Sequence, residues 1–305
     1  MGKGGEVSGD GAKVEEENMA AWLVAVNTLK IQPFRLPPLG PHDVRVRMKA
    51  VGICGSDVHH LKTMRCAHFV VKEPMVIGHE CAGVIEEVGS EVESLVVGDR
   101  VALEPGISCG HCKYCKGGRY NLCRSMRFFG SPPVNGSLAN QVVHPANLCF
   151  RLPENVSLEE GAMCEPLSVG IHACRRASVG PETNVLIMGA GPIGLVTMLA
   201  ARAFGAPRII MVDVDSYRLS VAKSLGAEDF VKVSTNSQWT ISPHAYGVSI
   251  GSSNPTLSSF STNSLYHWTH NVGSTTINRG AARVTFAKVA FEFSQRIVSR
   301  IRNTD

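Results

Sequence analysis

Hydrophobic and polar positions change rhythm twice along this chain. In the first part the runs are short and alternate. Val44-Arg45-Val46-Arg47-Met48-Lys49 puts apolar side chains on one face and mostly basic ones on the other, the pattern of a half-buried strand. Pro37-Pro38-Leu39-Gly40-Pro41 before it reads as a turn, and 84–88 and 100–103 as further strands. From Ala21 to about Leu152 this predicts an all-β core whose loops carry the chemistry. Near Glu165 the runs lengthen. The spacing predicts a helix over 168–177, a buried strand over 184–188, a helix over 192–204 and a strand over 208–212. A helix over 216–225 and a strand over 229–233 follow. Strand and helix alternating at this spacing imply βαβ units and a parallel sheet.

After Asn236 the rhythm is lost. Residues 230–291 contain no Asp or Glu, and nearly half of 237–280 is Ser, Thr or Asn. No period of 2 or 3.6 is sustained until 281–298, where a weak amphipathic helix fits. A polar, aperiodic stretch buries too little apolar surface to offset its ordering entropy, so 237–280 is expected to be disordered or loosely packed. The Gly- and Glu-rich start gives the same expectation. The predicted class is α/β plus β. Its parts are a disordered N-terminus (1–20), a β zinc-binding catalytic domain (21–165), a partial dinucleotide-binding domain (166–236) and a poorly ordered tail (237–305).

Composition narrows the function. A chain of 305 residues holds about two domains. Its net charge of +4 arises beyond residue 236, where six basic residues face only Glu292 and Asp305. The part expected to fold is balanced, which argues against a nucleic-acid partner. The longest uncharged apolar window, 185–201, contains Gly189, Gly191, Pro192 and Gly194, and reads as strand, turn and helix rather than as a membrane span. Ten cysteines in a chain without an apolar leader point to a reducing cytoplasm, where clustered cysteines mean metal more often than disulfide.

Three constellations carry chemistry. Gly78-His79-Glu80 is followed by Gly83, Gly89 and Val92, and Cys54 lies upstream in Gly52-Ile53-Cys54-Gly55-Ser56-Asp57. One thiolate, one imidazole and one carboxylate with a position left open suit a catalytic zinc. The run Cys109-x2-Cys112-x2-Cys115-x7-Cys123 offers four thiolates, the donor set of a closed structural zinc site. An iron–sulfur cluster is the rival, but the bacterial ferredoxin run has three residues before its last cysteine, followed by proline. Gly189-Ala190-Gly191-Pro192-Ile193-Gly194 leaves a predicted strand and opens a helix, as a pyrophosphate-binding turn does. Asp213 ends the next strand, where an acid accepts from a ribose 2′-hydroxyl and repels a 2′-phosphate, favouring NAD over NADP. Arg218, one turn into the next helix, either meets adenine or phosphate or is simply solvated.

From Ala21 to Asn236 the chain resembles the plant-type sorbitol dehydrogenases, a polyol branch of the medium-chain zinc-containing alcohol dehydrogenase family. The segments that carry the resemblance are 52–59, 78–83, Arg119-Tyr120-Asn121-Leu122-Cys123, Glu165-Pro166-Leu167-Ser168-Val169-Gly170 and 189–194. The resemblance implies a GroES-like β catalytic domain followed by a partial Rossmann domain. It implies one catalytic zinc on Cys54, His79 and Glu80, with Glu165 bound directly or through the zinc-bound water, and one structural zinc. NAD is the implied hydride acceptor, and the implied reaction converts the C2 hydroxyl of sorbitol to the ketone of fructose. Ser56 is the implied substrate contact. His59 is either a step on a proton path to solvent or a packing residue. Phe128 and Phe129 are either the apolar wall of the polyol pocket or core.

The sequence departs from the family pattern at His60, where Tyr is usual, and at His68 and Gly130, in place of Asp and Ala. The intact family is expected to form homo-oligomers. The resemblance stops near Asn236, and 237–305 reads as shifted-frame or unspliced sequence joined to a truncated dehydrogenase. Only three sheet strands precede that point, so the half of the fold that holds nicotinamide is expected to be missing. Two readings follow: a working NAD-dependent polyol dehydrogenase, or a catalytically inactive zinc-binding fragment with an unpaired sheet edge.

Overall fold

The computed structural model describes residues 17–234 and the backbone of 276–279 and 282–290. The alternating first part forms strands as its pattern requires. β1 (Met19–Ala25), β2 (Thr28–Pro33) and β3 (Asp43–Gly52) lead into helix α1 (Gly55–Thr63). The short strands β4 (Arg65–Cys66), β5 (Phe69–Val70) and β6 (Met75–Val76) follow, then the long β7 (Glu80–Val88). β8 (Arg100–Leu103), β9 (Gly106–Ile107), α2 (Lys113–Lys116), β10 (Arg127–Phe128), β11 (Gln141–Pro145) and β12 (Cys149–Arg151) complete the β part. Its main sheet is antiparallel, in the order β11-β3-β7-β8-β12. Val44 and Val46 point inward from β3 with no exposure and meet Ile85, Val101, Leu103 and Val142. Each such side chain contributes about 1.5–3 kcal/mol on burial, so this inner face holds the domain together. β1 begins at Met19 inside the span expected to be disordered, and Asn18 accepts from Gln141 N–H at 2.9 Å. Residues 1–16 lie outside the described residues.

Helices α3 (Leu158–Ala162) and α4 (Cys164–Arg176) bridge to the second part. α3 starts on a capping box, Ser157 with Glu160, and packs on β3, β7 and β8. α4 begins four residues earlier than the pattern suggested, which places Glu165 in its first turn. The alternation then appears as β13 (Thr183–Gly191), α5 (Pro192–Ala203), β14 (Arg208–Asp213), α6 (Ser216–Ser224) and β15 (Asp229–Lys232). β13, β14 and β15 pair in parallel. Pro192 stands at the first position of α5, and Asp215 caps α6 by accepting from Tyr217 and Arg218 N–H. Ile187, Leu195, Met198 and Met211 form the centre of the core, each at most 1% exposed.

Among the described residues the sheet has five strands, not three. β16 (Thr276–Arg279) and β17 (Ala282–Ala290) extend it in the order β15-β14-β13-β17-β16, with β17 parallel to β13. Part of the stretch expected to allow a weak helix, 281–298, is therefore strand, and the edge of β13 expected to be open is paired. The sequence ARVTFAKVA is rich in β-branched and aromatic residues, and an available edge lets that preference outweigh a weak helical period. Residues 235–275, most of the stretch expected to be disordered, lie outside the described residues.

His144, on β11, has no exposure; its Nε2 lies 2.8 Å from the Glu104 carbonyl and its ring stacks 4.7 Å from Phe129. Burial pulls its pKa down from 6.5 to about 4. The unfolded chain therefore binds the proton first as pH falls, so the stability contributed by the neutral ring is full above pH 6.5 and is lost toward pH 4. The loss reaches about 3 kcal/mol. We predict that His144→Phe is about 1–2 kcal/mol less stable than the parent at pH 7.5, from the lost bond to Glu104. The gap should close by pH 4.5. Urea unfolding of both chains across this range checks it, and a constant gap would show that His144 does not titrate on unfolding.

Candidate metal and dinucleotide site

β3 delivers the first ligand and β7 the next two. Gly52 at the end of β3 pairs with Glu80 at the start of β7, so Cys54, just past the strand, meets His79-Glu80. The ligand atoms of Cys54, His79 and Glu80 lie within 4.8 Å of one another, with His79 and Glu80 buried. Behind them sits Asp57, 1% exposed. Its Oδ2 accepts from Cys54 N–H and its Oδ1 from Gly78 N–H, both at 3.0 Å, and Oδ1 is 3.8 Å from His79 Nδ1. One carboxylate thus ties together the two loops that supply the ligands. Asp57 has no role in the motif reading. Its signal is position: it is the third residue of a helix capped by Cys54, where an acid reaches back to the cap N–H.

The donors gather without a compensating cation. Burial pushes the Cys54 thiol up to about 11 and raises the Glu80 carboxyl. It pushes Glu165 up to about 7, with His79 and Glu80 close enough to act on it. Glu165 stands outside the tight trio. A divalent cation would stabilise all these groups in their charged forms, and sulfur, nitrogen and carboxylate are donors that zinc accepts. His79 Nδ1 has no hydrogen-bond partner among the described residues and faces Asp57 Oδ1 at 3.8 Å, which leaves the other ring nitrogen to a metal. The donor set therefore fits the metal.

The other candidates separate. Ser56 is half-buried and hydrogen-bonds the Cys54 sulfur. His59 is exposed on α1, which removes the packing alternative for it. His60 is the buried neighbour, 2% exposed, with neither ring nitrogen bonded among the described residues. Phe128 faces the site, its ring centroid 5.5 Å from that of His79. Phe129 turns into the β core against His144, so only Phe128 lies against the cluster.

Around α2, Cys109, Cys112, Cys115 and Cys123 bring their sulfurs within 4.8 Å of one another. Separations of 3.5 Å (Cys112–Cys115) and 3.9 Å (Cys109–Cys115) are far beyond a disulfide, and all ten cysteines are free. N–H groups of His111 and Cys112 pull the Cys109 thiol down to about 6, so it is poised as thiolate. This lobe fits a tetrahedral structural metal.

In the second domain, Gly189 takes a φ of +110°, which a side chain would resist, and turns β13 into α5. Asp213, at the end of β14, is 7% exposed and accepts from Ala190 N–H at 2.7 Å and Asp215 N–H at 2.8 Å. It is held at the lip of the glycine turn. Arg218 Nη1 lies 4.0 Å from Asp213 Oδ2. Gly191 caps α5, with Pro192 and Ile193 in its first turn, and Gly194 is buried behind them. An open hollow of about 460 Å³ lies at the carboxyl ends of β14 and β15, lined by Val214, Lys232, Val233 and Ser234.

Comparison with known proteins agrees with both halves. The alcohol dehydrogenase GroES-like domain matches residues 40–154, and the zinc-binding dehydrogenase domain matches 192–253. The chain is 80% identical over 236 residues to a sorbitol dehydrogenase of Arabidopsis thaliana, covering 77% of this chain and 65% of that protein. It is 46% identical over 237 residues to the sorbitol dehydrogenase of Bos taurus, covering 78% and 67%. The chain belongs to the zinc-binding, GroES-like alcohol dehydrogenase family. An L-idonate 5-dehydrogenase of Vitis vinifera is 77% identical over 240 residues, covering 78% of this chain and 66% of that protein. The chain thus spans about two thirds of the length of these family members. Among solved structures, the L-idonate 5-dehydrogenase of Escherichia coli matches with a TM-score of 0.67 at 32% identity, covering 73% of this chain and 64% of that one. An E. coli alcohol dehydrogenase complexed with NADH matches with 0.67 at 34%, covering 72% and 64%. Among the described residues, no helix is long and apolar enough to cross a membrane.

If Asp57 sets the two ligand loops, Asp57→Asn weakens zinc at the Cys54 site about 10- to 100-fold. In a chelator titration followed by metal content, one zinc should then leave at lower chelator concentration while the tetrathiolate zinc is retained. Unchanged release of both would show that the clamp is dispensable.

Proposed function

We propose that this chain is a zinc- and NAD-dependent polyol dehydrogenase that oxidises a secondary hydroxyl, sorbitol to fructose being the first choice of substrate and product. The observation that carries the reading is the convergence of Cys54, His79 and Glu80 on one point, held from behind by Asp57 and flanked by Glu165. Zinc in that cradle supplies the Lewis acidity that makes an alcohol acidic near neutral pH, and NAD supplies the hydride acceptor.

The residues divide the remaining work. Cys54, His79 and Glu80 hold the metal, and Glu165, in the first turn of α4 beside them, takes or returns a proton. Ser56 hydrogen-bonds the substrate hydroxyl, and His59, exposed one helical turn along α1, passes its proton to solvent. Phe128 excludes water on the side of His79. The N-terminus of α5, with Gly189, Gly191, Pro192, Ile193 and Gly194, cradles the pyrophosphate, and Asp213 accepts from the ribose hydroxyls. Arg218 leans over the adenosine end. Cys109, Cys112, Cys115 and Cys123 hold the structural zinc. The catalytic domain ends near Glu165, and the dinucleotide domain begins with α4. Ten free cysteines, four of them in one lobe, suit a reducing cytoplasm.

Oxidation of L-idonate at C5 is the second reading, favoured by the 77% identity to the Vitis protein. Purified, zinc-loaded chain assayed for NAD reduction with sorbitol, xylitol and L-idonate tests both. We expect turnover that falls at least about 1,000-fold in Cys54→Ala, which removes a metal ligand. A soluble chain holding two zinc ions and silent on all three substrates would replace this reading with a non-catalytic zinc-binding chain. For the cofactor, Asp213→Asn keeps an acceptor and removes the charge. Its discrimination against NADP should shrink about tenfold in dissociation constant; unchanged discrimination would take that role from Asp213.

A further inference from the structure

β17 lies beside β13, on the side away from β14, and runs parallel to it. In a doubly wound dinucleotide domain the strand order is 3-2-1-4-5-6, and the ligand lies outside the carboxyl ends of the strands where that order reverses, between lanes 1 and 4. β15, β14 and β13 fill lanes 3, 2 and 1, and β17 fills lane 4 in the direction that lane requires. Pairing runs from Thr183 with Arg283 to Ile187 with Ala287, shifts register, and resumes at Ala190 with Val289 and Gly191 with Ala290. The carboxyl end of β17 therefore reaches the level of the glycine turn. Helix α5, which starts at that turn, packs over both β13 and β17. β17 also lies past residue 253, where the match to the zinc-binding dehydrogenase domain ends.

We propose that 282–290 serves as the fourth strand of the dinucleotide domain and forms the second wall of its crevice, so that a pyridine dinucleotide is held between the glycine turn and a strand from the tail. This rests on the dinucleotide reading above. The adenosine diphosphate half would use the β13–β14 side alone, and the nicotinamide half would need β17.

The test is hydrogen exchange on the full zinc-loaded chain, free, with ADP and with NAD. We expect both ligands to slow amides in 189–194, and NAD to slow those in 285–290 about tenfold more than ADP does. Protection by NAD at 189–194 with none at 285–290 would overturn the wall and leave the dinucleotide reading standing. No protection at either segment would overturn both. A variant adds a second arm. Ala287→Pro, in the full chain, puts a proline inside the part of β17 that pairs with β13. We expect it to weaken NAD binding at least about tenfold while leaving ADP binding within about threefold. Equal loss for both ligands, or no loss, counts against the wall. If the variant fails to fold, exchange on the parent chain decides.

Discussion

The β half of this molecule depends on one buried carboxylate. Asp57 is almost fully removed from water, and an uncompensated carboxylate there would be costly. It is compensated by two backbone N–H groups, one from Cys54 and one from Gly78. Those donors lie 24 residues apart in sequence, one on Cys54 itself and one on the residue before His79. Satisfying the carboxylate and bringing the candidate ligands together are therefore the same event. The β3–β7 ladder brings the segments near each other, but only to the precision of a strand end. Asp57 joins the two segments by hydrogen bonds, with His79 Nδ1 turned toward the same carboxylate. Such a second layer orients the side chains in front of it.

Much of this was legible in the residues, and the reason differs from site to site. The ligands and the glycine turn were readable because their chemistry needs particular residue types at fixed local spacing. Asp57 stood inside the quoted Cys54 segment yet carried no assigned role. Its function depends on Gly78, and contacts between distant segments leave no period in a sequence. Phe128 and Phe129 were ambiguous for a related reason: Phe128 ends a two-residue strand and Phe129 opens the turn after it, and which of them looks at the site depends on contacts distant in sequence. The turn sends Phe129 to His144. His59 and His60 differ by one helical step, yet one is exposed and the other buried.

The tail shows the opposite limit. An aperiodic, acid-free segment gives only an expectation of loose packing, and strand formation in 282–290 is decided by a partner edge that local pattern does not record. An open edge on a buried parallel strand is a strong demand for pairing, because its N–H and C=O groups are otherwise left without partners. A nine-residue stretch with β-branched and aromatic residues meets that demand.

The two halves of the site are also joined mechanically. Glu165 stands in the first turn of α4, beside the ligand cluster, and α4 packs along α5, whose first turn is the dinucleotide turn. Gly170 lies at the crossing: a side chain there would meet the backbone of Val196 and Thr197 at about 3 Å, so the helices are as close as backbones allow. Cys174 extends the contact, its sulfur 3.8 Å from the Thr197 carbonyl. In the proposed reaction, hydride transfer requires donor and acceptor carbons at near contact, and misplacement by about 1 Å costs about 100-fold in rate. With no side chain between them at Gly170, the two helices meet backbone to backbone, and this contact links the Cys54–His79–Glu80 cluster to the glycine turn.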